Sequence, residues 1–260
     1  MRCTAPPIIL VVGLLALLLA ACSGGAERQQ TPKPSPTVAQ PSATPTATPV
    51  DETAREISTG ELSRMVLPKA ELGAAYQNFP LSEDSGFASK EQVVENDLNP
   101  TDEGQDLDRF GFANAYSESY DEPSLADPEA PLPSEGPTNV GTTVYLFRDA
   151  PGAAGYLDDE LADIKNLVGS AVVGGRLESF QEFAVSTAGT KAWGGRAALT
   201  FTDETGEQTR VYVTFVNFHR GRLFGSVFIL RVDDLDVSAE ARTLAEKLDQ
   251  RLLAVLRGQA

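Results

Sequence analysis

The side chains best suited to covalent chemistry are few and widely separated. The chain contains two cysteines, Cys3 and Cys22, and a single histidine, His219. Cys22 stands at the end of an apolar stretch, directly after two alanines and before Ser23-Gly24-Gly25. Small residues on both sides leave the thiol accessible to processing enzymes, and a thiolate is a strong nucleophile. The small residues around Cys22 fit a peptidase site, and its thiol is the nucleophile that this stretch offers.

The segment that ends at this cysteine, Leu19-Ala20-Ala21-Cys22, resembles the lipobox of bacterial lipoproteins. The apolar stretch from Ile8 to Ala21 is about 21 Å long as a helix, which is short of the ~30 Å hydrocarbon core of a bilayer. Residues 1–21 are therefore predicted to be a lipoprotein signal peptide. The resemblance implies a diacylglyceryl group on the Cys22 thiol and a further fatty acid such as palmitate. Together they would anchor the protein at the extracytoplasmic face of the cell membrane, or of an outer membrane in a cell that has one. An ordinary secretory signal that happens to contain a cysteine is the alternative.

The region that follows, residues 22–55, has the composition of a disordered linker. Residues 31–50 include six prolines, five threonines and two serines. Such a composition cannot bury a core, and it favours extended polyproline conformations. About 25 such residues at ~3.1 Å each would reach on the order of 80 Å. We interpret this region as a spacer, with a glycosylated stalk or a proline-rich recognition segment as alternatives.

The charge balance excludes one broad class of partner. The chain carries 37 acidic and 21 basic residues, a formal net charge of −16. Such a charge repels nucleic acid. The expected partners are the membrane, through the lipid on Cys22, and either an envelope protein or a small ligand.

The remaining residues form none of the familiar catalytic patterns. The sequence has no Gly-x-Ser-x-Gly elbow, no phosphate-binding loop and no dinucleotide-binding glycine motif. His219 lies in a predicted hairpin turn, and one histidine does not build the usual zinc site. We therefore predict no catalytic residue, no cofactor and no metal site, and the ligand-binding residues stay unassigned. The leading hypothesis is a non-catalytic binding or interaction domain.

Two alternatives remain because acidic residues are abundant. The first is a carboxylate-dependent hydrolase of the envelope, which needs two acids facing each other in a cleft. The second is a calcium-stabilised structural or adhesion module, since oxygen ligands in a flexible loop suit calcium. The spacing fails the EF-hand template. The candidate oxygen ligands, in a predicted loop, are Asp97, Asn99, Asp102, Asp106 and Asp108.

Hydrophobic periodicity predicts an α+β fold for residues 56–260. Alternating apolar residues indicate a mostly antiparallel sheet of about six strands, and the strand around Val211–Phe218 is apolar on both faces. Long helices are predicted from Asp149 to about Val168 and from about Ser238 to Arg257. Residues 121–138 hold five prolines and many acids, which indicates an exposed loop.

Two details of these elements bear on function. The acids of the first long helix occupy the positions between its apolar residues, which predicts a solvated face. They are Asp158, Asp159, Glu160 and Asp163. Trp193, the only tryptophan, is predicted to be a half-buried cap on the sheet rather than an exposed ring for ligand stacking.

The order of these elements loosely resembles that of the Mog1/PsbP-like lipoprotein domains. Two strands and a helix are followed by a meander and a final helix, and the likeness rests on this order rather than on a shared motif. Independently of this likeness, the single apolar face of each helix predicts that the helices pack on the sheet of one domain.

The anchor is tested by the variant Cys22→Ser. Without the thiol no diacylglyceryl group can be attached, so we expect an unprocessed or released protein without the lipid mass. Membrane partitioning and intact mass spectrometry measure both effects. Unchanged partitioning and an unchanged mass would refute the assignment of the lipobox.

Overall fold

The computed structural model describes residues 53–95, 97, 100–126, 133–173, 175–202 and 206–259. The predicted signal peptide, Cys22 and almost all of the predicted linker lie outside the described residues. The contacts of the folded region extend back to Thr53, whose hydroxyl accepts a hydrogen bond from the backbone N–H of Arg222 at 3.0 Å.

The described residues form six α-helices and eight strands. The helices are α1 (Thr59–Met65), α2 (Lys69–Leu72), α3 (Lys90–Glu95), α4 (Pro100–Phe110), α5 (Ala150–Leu167) and α6 (Ser238–Leu256). The strands are β1 (Gly86–Ala88), β2 (Phe112–Asp121), β3 (Pro137–Phe147), β4 (Ala171–Val172), β5 (Gly175–Ala184), β6 (Lys191–Thr202), β7 (Gln208–Arg220) and β8 (Leu223–Arg231).

The eight strands of the described residues belong to one antiparallel sheet, in the order β1-β2-β3-β8-β7-β6-β5-β4. The predicted α+β class and the meander from β5 to β8 are confirmed. The structure also pairs β2 with β3, antiparallel. The predicted number of about six strands is wrong, because the three-residue β1 and the two-residue β4 are too short to show alternation. A bulge interrupts β5 between Leu177 and Ser179.

Helices cover both faces of this sheet. On one face α6 and α1 pack over the strands, with Leu248 of α6 in the same core as Val216 and Phe218 of β7. On the other face Leu157 of α5 belongs to a core that includes Phe215 of β7. The prediction that this strand is buried on both sides is confirmed.

The beginning of α5 is defined by an N-cap. The side chain of Asp149 accepts a hydrogen bond from the backbone N–H of Gly152 at 2.8 Å, and Pro151 occupies the first turn, where its missing N–H costs nothing. The cap fixes where the helix starts, and therefore which of its side chains face the sheet.

Trp193 ties α5 to the sheet. Its ring is 4% exposed, and its Nε1–H donates a hydrogen bond to the backbone oxygen of Leu157 at 3.0 Å. The indole also packs edge-on against Phe215, with 5.3 Å between the ring centroids. The residue is thus a core aromatic, buried more deeply than the half-buried cap that the sequence predicted.

The packing around this indole predicts the effect of adding one methyl group. A Cβ at Gly195 would overlap Cε2 of Phe180 and lie 2.7 Å from Cζ of Phe215. We expect Gly195→Ala to lower the free energy of unfolding by about 1–3 kcal/mol, because two packed rings must move. Urea denaturation measures the loss. The control is Gly60→Ala, since nothing lies within 4 Å of a Cβ at Gly60 of α1 and alanine is the better helix former. An equal loss in both variants would contradict the packing argument.

Candidate functional site

Six acidic side chains come together where α4 packs on α5. We call this set the carboxylate cluster. Its members are Asp97, Glu103, Asp106, Asp159, Glu160 and Asp163. All except Asp159 are more than nine-tenths buried. The prediction that the acids of α5 form a solvated face is therefore wrong for Glu160 and Asp163, which are 3% and 1% exposed.

The cluster exists because α4 is a helix. The sequence predicted a polar loop here, since Pro100 and Gly104 interrupt a stretch with few apolar residues. Pro100 instead stands in the first turn of α4, where proline is tolerated. Leu107 is fully buried and anchors the helix in the core beneath α5.

The helix also separates the residues that the sequence proposed as calcium ligands of a loop. Asp106 points inward, whereas Asp108 points outward and forms an ion pair with Lys90 at 2.6 Å. Asn99 lies outside the described residues. A loop site built from these residues is therefore wrong, and only Asp97 and Asp106 of the proposed set belong to the carboxylate cluster.

Three members of the cluster are close enough to share one bound ion. Asp159 and Asp163 are one turn apart on α5, and Asp106 faces them from α4. One carboxylate oxygen of each lies within 4.8 Å of the others. Arg109 forms ion pairs with Asp159 and, at 3.6 Å, with Asp106. Oδ1 of Asp163 is buried and has no hydrogen-bond partner among the described residues.

Burial has a large effect on the protonation of these acids. Removal from water raises the pKa of Glu103 to about 8, although a hydrogen bond from the hydroxyl of Tyr156 at 3.1 Å opposes the shift. The same cause raises the pKa of Asp163 to about 8 and that of Asp106 to about 6, with the neighbouring carboxylates adding to it. Burial also raises the pKa of Glu160 well above its ordinary value. At neutral pH the cluster must hold protons or be neutralised by a cation.

A second feature lies on the opposite face of the sheet, the face that carries α6. Because α6 packs chiefly on β7 and β8, the strands beside them are left open, and a polar groove of about 390 Å³ runs over β5, β6 and β7. We call it the sheet groove. Its lining residues are Glu178, Ser179, Gln181, Arg196, Ala197, Ala198, Arg210, Tyr212 and Asp234.

Two guanidinium groups define the chemistry of the sheet groove. Arg196 lies over the ring of Tyr212, 5.3 Å from its centroid, and forms an ion pair with Asp234. Arg210 is exposed and has no ion-pair partner in the described part of the chain. Guanidinium groups bind carboxylates and phosphates through two parallel hydrogen bonds, so the groove offers one preorganised and one free donor.

His219 occupies a different environment from the one predicted. It belongs to β7 rather than to the turn, which lies after Arg220, and it is 9% exposed. Burial lowers its pKa, which favours the neutral ring. Its register partners in the sheet are Lys191 and Phe224.

Sequence reasoning missed both features. One signal for the cluster was available: Tyr156, Glu160 and Asp163 follow one another at helical spacing, on a face that the structure buries. No sequence pattern indicated the sheet groove, because the groove depends on how many strands α6 covers.

No protein family and no curated protein matches this chain. Among solved structures, the fold is similar to the extracellular domain of PknH from Mycobacterium tuberculosis, with a TM-score of 0.45 and 13% sequence identity, over 75% of this chain and 98% of that one. A similarity at this level supports no functional assignment. Within the described residues, no helix is both long enough and apolar enough to cross a bilayer.

The raised pKa values predict how stability depends on pH in a buffer that contains a chelator. The folded state holds protons that unfolded carboxyls, with pKa values near ~4, release. The free energy of unfolding should therefore fall as the pH rises from about 4 towards 8, the pKa of Glu103. Each carboxyl that is protonated only in the folded state contributes about 1.4 kcal/mol per pH unit in that window.

The variant Glu103→Gln tests the assignment to the cluster, because the amide stays neutral at every pH. Urea denaturation at several pH values between about 5 and about 8 measures the free energy of unfolding across this window. Its slope against pH should be flatter in the variant than in the unmodified chain. Glu182→Gln on the exposed part of β5 is the control and should leave the slope unchanged. A flattening of equal size in the control would rule out the cluster as its origin.

Proposed function

We propose that the protein is anchored by a lipid on Cys22 at the extracytoplasmic face of the membrane and binds a small anionic ligand, without catalysis, in the sheet groove. The observation that carries this proposal is the pair of arginines in the groove, beside the hydroxyl of Ser179 and the amide of Gln181. Arg210, Ser179 and Gln181 are exposed to solvent, and Arg196 is partly buried beside Asp234.

The arrangement of the two arginines favours an anion that also bears hydroxyl groups. Arg196 is held in place by Tyr212 and Asp234, so it loses little conformational freedom when it binds a ligand. Arg210 is exposed and supplies a second positive charge. Ser179 and Gln181 can donate to and accept from neutral hydroxyls. A sugar acid or a phosphorylated polyol fits this set of donors.

The distribution of acids supports binding rather than acid–base catalysis. The sheet groove contains two acids, Glu178 and Asp234, and Asp234 is ion-paired with Arg196. The carboxylate cluster lies on the other face of the sheet, between α4 and α5, so its acids do not line this groove. The envelope hydrolase considered from the sequence would need a pair of free carboxylates there.

The predicted anchor and linker agree with such a role. A lipid on Cys22 and a proline-rich spacer would hold the domain beside the anionic polymers and metabolites of a cell envelope. The resemblance of the element order to Mog1/PsbP-like lipoprotein domains stays a prediction.

The proposal is tested by titrating the full chain, purified in detergent, with glucuronate and with sn-glycerol 3-phosphate in a calorimeter. Arg210→Gln removes one guanidinium and should weaken binding about tenfold, since a hydrogen bond to a charged group is worth about 1.5–3 kcal/mol and this one is exposed. The matched control is Arg148→Gln, which removes the same charge from an exposed residue that does not line the groove.

Two results would contradict the proposal. The first is the absence of binding for both ligands at millimolar concentration. The second is an equal loss of affinity in the Arg210 and Arg148 variants, because the attraction would then come from overall charge rather than from the groove.

A further inference from the structure

We propose that the carboxylate cluster binds a divalent cation, Ca²⁺, between α4 and α5, with Asp106, Asp159 and Asp163 as its protein ligands. This proposal is independent of the sheet groove, which lies on the other face of the sheet. It rests on the geometry of the three carboxylates and on one unsatisfied buried oxygen.

The spacing of the three carboxylates fits a single ion. Two oxygens bound to the same Ca²⁺, at ~2.4 Å each, are at most about 4.8 Å apart. One oxygen from each of the three residues meets this limit. Asp159 and Asp163 project from the same side of α5, and Asp106 closes the site from α4. Two packed helices therefore hold the ligands without help from a loop.

The buried oxygen of Asp163 is the independent indication of a ligand. The residue is 1% exposed, and its Oδ1 has no hydrogen-bond partner in the part of the chain that is described. A buried carboxylate oxygen that is cut off from water and from donors is strongly unfavourable. The carboxyl group that carries this oxygen has Asp106 and Asp159, which are like-charged when ionised, as neighbours. A cation held among the three residues would supply a partner for it.

Arg109 neutralises only part of the charge of the carboxylate cluster. Its guanidinium pairs with Asp159 and Asp106, but within the described residues no ion pair joins it to Asp163. The side chain is 46% exposed, so it lies at the rim of the cluster. One guanidinium at the rim does not balance six carboxylates, and burial raises the pKa values of the innermost ones.

The type of ligand determines the type of ion. Carboxylate oxygens are hard ligands, and the three residues offer no nitrogen or sulfur, which favours Ca²⁺ over zinc and the softer metals. With three carboxylates and a competing arginine nearby, we expect a dissociation constant of about 10⁻⁴–10⁻³ M, the range of extracellular calcium modules.

The experiment is thermal unfolding of the full chain in detergent, after removal of metal with EDTA and dialysis. Addition of about 10 mM CaCl₂ should raise Tm by about 3–6 °C if the dissociation constant is near 1 mM. NaCl at about 30 mM, which matches the ionic strength, is the control for general screening of a chain with net charge −16. Calorimetric titration with CaCl₂ measures binding directly.

The matched variants are Asp163→Asn and Asp158→Asn. The first keeps the size of the buried side chain and removes its charge, so the chain should fold and lose the calcium-dependent rise in Tm. The second alters an exposed neighbour on the same helix, which pairs with Lys191, and should keep the full rise. Asp159→Asn provides a second loss-of-ligand variant should Asp163→Asn fail to fold.

Three results would overturn the proposal. Equal shifts with NaCl would assign the effect to screening, and equal shifts in the Asp163 and Asp158 variants would place the ion elsewhere. If CaCl₂ gives neither a shift nor heat of binding, the cluster is neutralised by protons alone.

Discussion

A sheet that is apolar on both faces must be covered on both faces, and the rest of the molecule follows from this requirement. In β7, Phe215 points to one side and Val216 and Phe218 to the other, and all three are almost completely buried. Helices must therefore lie on each side of the central strands. Helices α5 and α4 cover one face of the sheet, and α6 and α1 cover the other.

The two helical layers differ in a way that creates both candidate sites. On the first face a second helix, α4, lies against α5 and removes from water acids that would otherwise be solvated. Tyr156 of α5 contributes to both the apolar core and the buried carboxylates. Its ring packs against Phe147 and Phe224, and its hydroxyl donates a hydrogen bond to Glu103. On the second face α6 is too narrow to cover the meander, and the strands left bare form the sheet groove.

The elements that could be predicted are those whose pattern is local. The alternation of Val211, Val213 and Phe215 predicts a strand without reference to any neighbour, and the periodic leucines of α6 predict a helix in the same way. The capping residue Asp149 placed the start of α5 correctly. These features depend on residues only a few positions apart.

The features that could not be predicted depend on contacts between distant segments. α4 has few apolar residues, so its helical state depends on packing against α5, some 50 positions away along the chain, as the pairing of Arg109 with Asp159 illustrates. The burial of Asp163 follows from the same contact. The position of His219 within β7 instead reflects the pairing with β6 and β8, which continues the strand through His219 and Arg220, where the sequence predicted a turn.

The bulge in β5 has a consequence for how neighbouring copies of the protein behave. Beyond Leu177 the outer edge of β5 pairs with no other strand in the described part of the chain, and a bare edge is a template for strand addition and aggregation. The bulge breaks the regular spacing of the backbone groups. Glu178 and Glu182, which pair with Arg176 and Lys165, place charged side chains along this edge, and such charges discourage strand addition. Neighbouring copies of the protein can therefore stay separate although the sheet is open at its edge.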